Sequence, residues 1–353
     1  MRIALIGGSG FIGSVLARGL RDAGHTLVNL DLRPPRDPAL FERAIVGDLR
    51  HPAAVAAALR GCEAVFNLAA AHHDQGIETA TYFAVNEAGM QTVCTVMAEF
   101  GINRLCFYSS VAVYGESDEA CAEDSPTNAS SPYGASKLAG EKVCQAWVAQ
   151  QPDRRLLVIR PTVVFGPGNT ANMYALIRQV ASRRYVQVGA GTNVKSICYV
   201  DNLVAATLYA WSQPSNEAAR TFNYVDKPDL SSAQIVGTIC QALRQPAPRW
   251  RIPLSLALLA AKPFDWYTRI TGRNLTISSM RIRKFAASET VYAAGLIRER
   301  GFQPPVALGD GIARMCEWFQ RTGSRQRPDP SLPPAQPASE FMVLESGSAA
   351  PSA

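Results

Sequence analysis

Arg2-Ile3-Ala4-Leu5-Ile6-Gly7-Gly8-Ser9-Gly10-Phe11-Ile12-Gly13 is the stretch whose reading decides the fold. Residues 2–6 have the apolar pattern of a short buried strand. They run straight into glycines, and Phe11, Ile12, Val15, Leu16 and Leu20 then recur at helical spacing. With no side chains at Gly7, Gly10 and Gly13, the backbone can turn tightly and approach a pyrophosphate, whose charge a helix N-terminus favours. A glycine turn between strand and helix is often only a turn, so the rest of the chain has to support the reading.

Strand-like segments recur at 26–30, 64–68, 104–108 and 156–159, with helix-length stretches between them. That alternation is the pattern of parallel βαβ units and predicts an α/β, Rossmann-type doubly wound parallel sheet. Beyond Gly166-Pro167-Gly168 the regularity fades into segments rich in Pro, Arg and aromatics, alternating with helices near 233–243 and 309–319. These predict a smaller α/β substrate-binding cap. The expected division is 1–165 with 194–225 for the Rossmann domain and 166–193 with 226–322 for the cap. Residues 323–353 are poor in apolar residues and rich in Pro, Ser and Ala, and are expected to be a disordered tail, with Phe341-Met342-Val343-Leu344 as a docking stub.

The 353 residues are 47% hydrophobic and 18% charged, enough apolar surface for a sizeable core, which excludes a small disulfide-stapled module and global disorder. The net charge of +6 comes from scattered basic residues, so nucleic acid is not an expected partner. Apolar runs such as 256–261 are far shorter than the ~18 residues a membrane span needs. No signal-peptide pattern precedes the first glycines, so a cytoplasmic location is expected. Eight cysteines without a Cys-x-x-Cys pair read as reduced, mostly buried thiols. His72 and His73 are adjacent, with no Cys or carboxylate cluster, so no metal site is expected.

Asp31 stands at the end of the second strand, eighteen residues beyond Gly13, where a carboxylate can accept hydrogen bonds from an adenosine ribose. It would repel a 2′-phosphate, which favours NAD over NADP; Arg33 and Arg36 nearby keep the alternative open. Gly47-Asp48-Leu49 follows the third strand, with Asp48 placed to contact the adenine amino group and Leu49 to pack on the ring. The alternative is an Asp capping the helix near Pro52. After the fourth strand, Asn67-Leu68-Ala69-Ala70 offers small residues that allow close approach to the cofactor.

Tyr133-Gly-Ala-Ser-Lys137 puts a phenol and an ammonium four residues apart, on one helix face. A tyrosine needs a nearby cation to act as a base at neutral pH, and Lys137 with an oxidised nicotinamide supplies that field. Such a pair also occurs by accident in amphipathic helices. Ser109-Ser110-Val111-Ala112-Val113-Tyr114-Gly115 follows the fifth strand at the edge of the sheet where a ligand belongs. Ser110 is the first choice for the hydroxyl that hydrogen-bonds the substrate oxygen, with Ser109 second; the alternative is loop serines capping their own backbone.

Taken in order, Gly-Gly-x-Gly-Phe-Ile-Gly, Asp31, Gly-Asp48-Leu, Asn-Leu-Ala-Ala, Ser-Ser-x-x-Val-Tyr-Gly, Tyr133-x-x-x-Lys137, Arg160-Pro161-x-x-Val-Phe-Gly-Pro-Gly and Tyr199-Val-Asp201-Asn resemble the extended short-chain dehydrogenase/reductase family, in its nucleotide-sugar epimerase and dehydratase branch. The resemblance spans about residues 1–319, strongest up to Leu203. It implies a retained NAD that takes hydride from a sugar carbon, usually C4, while Tyr133 takes the hydroxyl proton and Lys137 also holds the nicotinamide ribose. Asn86, Pro161 and Val163 join the expected cofactor contacts. The expected substrate is a nucleotide-diphosphate sugar and the expected assembly a homodimer through the helices around Met90 and Tyr133.

Relatives that eliminate water carry Asp and Glu directly after the catalytic hydroxyl; Val111 and Ala112 occupy those places here and cannot move protons. The expected reaction is therefore C4 epimerisation or 4-keto reduction. Lys195 aligns with a basic position used on the diphosphate, though it also reads as a surface lysine, and Asn172 and Arg283 are further substrate candidates. Many relatives have Asn where this chain has Val163, a loss that Asn169 or Asn172 could offset. Two alternatives stand beside this reading: a hydroxysteroid-type dehydrogenase, suggested by the apolar stretch 254–261, and a non-catalytic NAD-binding regulator, which would not need the Tyr/Lys pair.

Overall fold

The computed structural model describes residues 1–72, 76–117, 119–248, 251–271, 291–326, 332–338 and 340–345. Its strands are β1 (Arg2–Ile6), β2 (Thr26–Asp31), β3 (Arg43–Val46), β4 (Ala64–Asn67), β5 (Arg104–Tyr108), β6 (Arg155–Pro161), β7 (Val163–Phe165), β8 (Gln187–Val188), β9 (Val194–Lys195), β10 (Ile197–Tyr199), β11 (Ala219–Tyr224), β12 (Leu230–Ser231), β13 (Arg251–Ile252) and β14 (Met342–Glu345). Among the described residues the main sheet has eight strands in the order β11-β6-β5-β4-β1-β2-β3-β14. All its pairings are parallel except that of β14 with β3. The other strands form three two-stranded pairs: β7 with β10, β8 with β13 and β9 with β12.

The helices that position the site are α1 (Phe11–Asp22), α2 (Pro52–Leu59), α3 (Thr79–Phe83), α4 (Gly89–Glu99), α5 (Pro132–Ala149), α6 (Asn172–Ala181), α7 (Val200–Ser212), α8 (Ser232–Ala242) and α9 (Leu254–Thr271). Because strand side chains alternate, β1 feeds two cores. Ile3 and Leu5 pack with Leu16, Leu20 and Leu203 from α1 and α7, while Ala4 and Ile6 join Val55, Val93 and Cys144 from α2, α4 and α5. Both faces of the sheet are covered, which accounts for the unbroken apolar runs of its parallel strands. Strand order reverses between β1 and β4, so the crevice beyond their C-terminal ends is the topological switch point.

A third apolar cluster gathers Phe165, Ile177, Ile235, Ile239, Ile312 and Met315 from β7, α6, α8 and the helix Leu308–Arg321. β10 is shared: Ile197 and Tyr199 pack in this cluster and Cys198 in the one beneath α1 and α7. The Tyr199-Val-Asp201-Asn202 motif acts as the tie. The backbone N–H of Tyr199 donates to Asp226 Oδ2 at 2.7 Å, and Asn202 Nδ2 donates to Asp226 Oδ1 at 3.0 Å and to the Val306 carbonyl at 2.7 Å.

Two described segments within 323–353 carry regular structure in place of the expected disorder. Gly323–Arg325 form a 3₁₀ turn, and Met342–Glu345 pair antiparallel with β3, Val343 opposite Ile45 and Leu344 opposite Ala44. The apolar stub is therefore a strand, docked on the chain's own sheet. Without it β3 would be an edge with unpaired backbone groups, and the pairing satisfies them. All eight cysteines are free and buried, and burial pushes the Cys62 thiol up to about 11. No helix among the described residues is long and apolar enough to cross a membrane.

Candidate active site

The glycine loop is shaped by close approach. Gly7 has φ +86°, and a Cβ there would sit 2.6 Å from the backbone nitrogen of Ala69, so the loops after β1 and β4 touch because Gly7 has no side chain. A Cβ on Gly13 would lie 2.2 Å from the Gly7 carbonyl oxygen, so the first turn of α1 rests directly on the loop. α1 starts after Gly10 with no side-chain cap and no acid in its first turn, where Phe11 and Ile12 are half-buried. Its N-terminal amides and positive dipole end are thus left to an anion, which fits the pyrophosphate of a dinucleotide.

Asp31 ends β2 beside this loop. Its Oδ2 accepts from the N–H of Ser9 at 3.0 Å and its Oδ1 from the N–H of Arg33 at 3.1 Å. Burial raises the carboxyl pKa, and those two amides oppose the rise. Leu68, Ala69 and Ala70 are half-buried past β4, where the N–H groups of Leu68 and Ala69 still donate to the Ile6 carbonyl.

Two expected cofactor contacts have their polar groups committed elsewhere. Asp48 is buried and ion-paired with Arg50, Nη2 to Oδ2 at 2.7 Å, and the same guanidinium donates to the carbonyls of Pro334, Ala335 and Gln336. Nor does Asp48 cap α2: His51 does, its Nδ1 accepting from the N–H of Ala54. Asn86 is buried, exchanging hydrogen bonds with the backbone of Ala71 and donating to Ser136 Oγ at 2.8 Å. It joins the loop after β4 to α5. Leu49 is buried against Gly89, where α4 begins.

The chemical centre is built by α5 and the turn after β5. Ser131 caps α5, its Oγ accepting from the N–H of Gly134 at 3.1 Å, and Pro132 opens the helix with its φ already set. Tyr133 follows, half-buried. A Cβ on Gly134 would stand 2.3 Å from the carbonyl oxygen of Ala112, so the first turn of α5 presses on the 3₁₀ turn Val111–Tyr114. Ser110 caps that turn, accepting from the N–H of Ala112 at 3.2 Å, and its O–H remains a donor. Ser109 is buried and, among the described residues, its Oγ has no hydrogen-bond partner.

Lys137, one helical turn beyond Tyr133, is 1% exposed, its ammonium 4.4 Å from the centroid of the Phe107 ring. Burial lowers its pKa to about 8, against the pull of Cys144 and Glu141 in the other direction. Glu141, a further turn along, holds Arg160 through two bonds of 2.9 and 2.6 Å. Arg160 Nη1 also donates to the Tyr114 hydroxyl at 2.7 Å, which in turn donates to Asn223 Oδ1 at 2.8 Å. This buried chain fastens α5 to the serine turn and to β6. Sequence reasoning missed it, although the four-residue steps 133, 137 and 141 carried a signal.

The remaining candidates are more scattered. Pro161 ends β6 buried, and Val163 opens β7 at 52% exposure. Asn172 is exposed in the first turn of α6, while Asn169 Oδ1 is committed to the N–H of Ala171. Lys195 is half-buried in β9. Arg283 lies outside the described residues, as does His73.

A doubly wound sheet with an uncapped glycine-loop helix at its switch point, an acid at the end of β2 and a Tyr-x-x-x-Lys helix seated on a serine turn defines a dinucleotide-dependent oxidoreductase. Comparison with known proteins agrees. Residues 3–224 match the model of the NAD dependent epimerase/dehydratase family. The chain is 37% identical over 319 residues to the N-acetyl-alpha-D-glucosaminyl-diphospho-ditrans,octacis-undecaprenol 4-epimerase of Escherichia coli O157:H7, covering 90% of this chain and 94% of that one. It is 28% identical to the UDP-glucose 4-epimerase of Vibrio cholerae, over 92% and 97% of the two chains. The crystal structure of UDP-glucuronic acid 4-epimerase from Bacillus cereus with NAD superposes with a TM-score of 0.72 at 20% identity, over 91% and 99% of the chains. The chain belongs to the NAD-dependent epimerase/dehydratase family. It is an NAD-dependent enzyme of the epimerase/oxidoreductase class.

Proposed function

We propose that the enzyme inverts C4 of a diphosphate-linked hexose, working in the cytoplasm as a homodimer. The observation that carries the reading is the seat of α5 on the serine turn through Gly134, which brings Tyr133 to the turn capped by Ser110, with the Lys137 ammonium buried one helical turn away. NAD held there would supply the acceptor and donor of the C4 hydride, so that the C4 hydrogen can be lost from one face and regained on the other. Tyr133 receives the C4 hydroxyl proton as the carbonyl forms and gives it back as the hydride returns, so atoms and electrons balance over the cycle. Lys137 places a positive charge one helical turn away that would stabilise a phenolate. Ser110 donates to the same sugar oxygen and orients it. Gly7, Gly10, Gly13 and the α1 amides hold the pyrophosphate, Asp31 the adenosine ribose, and Lys195 and Asn172 the substrate.

Val111 and Ala112 carry no group able to assist water elimination, which supports epimerisation over dehydration, and two relatives are named as 4-epimerases. The diphosphate carrier differs between them: a nucleotide in the one and a polyprenol in the other. Met90 is fully buried within the protomer, so a dimer contact would use the outer faces of α4 and α5. The test is incubation with UDP-hexoses and with a detergent-solubilised polyprenyl-diphosphate hexose, with and without NADH, read by NMR. C4 epimers formed without added NADH support epimerisation. Product formed only with NADH would make the enzyme a 4-ketoreductase.

A further inference from the structure

Exposed apolar side chains gather on α9 and the strand before it. Leu256, Leu259 and Trp266 are 55, 59 and 68% exposed, with Phe264 and Ile252 exposed beside them. Leu256, Leu259, Pro263 and Trp266 recur in steps of three, four and three, and at ~100° per residue they fall within about 80° of one another. Ala257 and Ala261, both buried, mark the opposite face, so α9 rests on the protein by its alanines and turns its largest apolar side chains outward.

Among the described residues of β13 and α9 the exposed charges are basic. Arg251 in β13 and Lys262 on α9 are exposed, and Arg183 and Arg184 are exposed just before β8, the strand that pairs with β13. The one acid of α9, Asp265, is half-buried. An outward stripe of Leu and Trp rimmed by Arg and Lys is the composition of a helix lying in a membrane interface, the apolar face among acyl chains and the cations at anionic headgroups.

The surface is also linked to the site. The N–H of Gly189, next after β8, donates to the Ile252 carbonyl at 2.9 Å, and residues 189–193 lead directly into β9 and Lys195. Resting on the diphosphate-linked hexose reading above, we propose that the outward face of α9 docks on an anionic bilayer, so that a membrane-anchored polyprenyl-diphosphate sugar reaches the site with its prenyl chain still in lipid.

The test floats the full NAD-loaded chain with vesicles of phosphatidylcholine alone or with added phosphatidylglycerol. Flotation with the anionic vesicles is expected, at least about tenfold weaker for Leu256→Gln/Leu259→Gln/Trp266→Gln and weakened by salt. Arg183→Gln/Arg184→Gln/Arg251→Gln should also weaken it, and a blue shift of tryptophan emission on vesicles should be lost in Trp266→Phe. The melting temperature reports folding; if the triple apolar variant does not fold, the charge variant and Trp266→Phe decide. A wild type that stays with the buffer, or variants that float equally well, would overturn the proposal. So would an apolar variant that only turns a dimer into a monomer, since the face would then join two copies of the chain. Turnover of the detergent-solubilised substrate without flotation would sink the docking surface alone; flotation without that turnover would sink the substrate reading alone.

Discussion

Lys137 is held inside the protein at a pKa of about 8, below its ordinary 10.5, because burial penalises the ammonium. Between those values the unfolded chain binds the proton and the folded chain does not, so this residue's contribution to stability rises with pH from about 8 to 10.5. On the proposed mechanism activity should move the other way, since loss of the ammonium would remove the positive charge one helical turn from Tyr133. The kcat profile is expected to fall above about pH 8. In the same experiment, any residual activity of Lys137→Arg should lack that alkaline limb. Tyr133→Phe is expected to lower kcat by about 10²–10⁴ with NAD retention and melting temperature unchanged, measured by steady-state kinetics and thermal denaturation. Equal kcat in wild type and variant would remove the phenol from the mechanism. Asp31→Ala should weaken NAD by roughly ten- to a hundredfold and NADP much less, read by fluorescence titration, because the free 2′-hydroxyl of NAD can donate to that carboxylate and a 2′-phosphate cannot.

At the scale of elements, the site depends on how closely α5 meets the turn after β5. With 2.3 Å between a Cβ at position 134 and the Ala112 carbonyl, Gly134→Ala must push the helix off the turn, since the opposing atom is backbone and cannot swing aside. The expected result is a kcat loss of one or more orders of magnitude with NAD affinity preserved, because the glycine loop belongs to a different pair of elements; an equal loss of both would show that the whole sheet had shifted. The start of α5 is set by the Ser131 cap and Pro132, both of which act within one turn of chain. Glu141 was not readable as a partner of Arg160: the two are 19 residues apart, and only the packing of α5 on β6 brings them within 2.6 Å.

At the scale of the whole molecule, β14 ties residues near the C-terminal end to the sheet edge, while Arg50 clasps the carbonyls of Pro334, Ala335 and Gln336. Removing residues 327–353 is expected to lower the melting temperature by several degrees and to increase light scattering on heating, because β3 becomes an open edge. Unchanged melting and scattering would show that β14 adds nothing to the sheet.

The strand, glycine and helix pattern of residues 2–22, together with the strand-like repeats at 26–30, 64–68, 104–108 and 156–159, determined the fold class from sequence, because strand alternation, helical period and the need for a bare Cα are local properties of a chain. Tertiary structure decided the rest. Asp48 met Arg50 and the tail, Asn86 went to Ala71 and Ser136, and an apolar stub judged by its Pro- and Ser-rich surroundings became a strand. In each case a polar group or an unpaired backbone had several chemically equivalent partners, and the choice among them was made by which distant segment packing brought near.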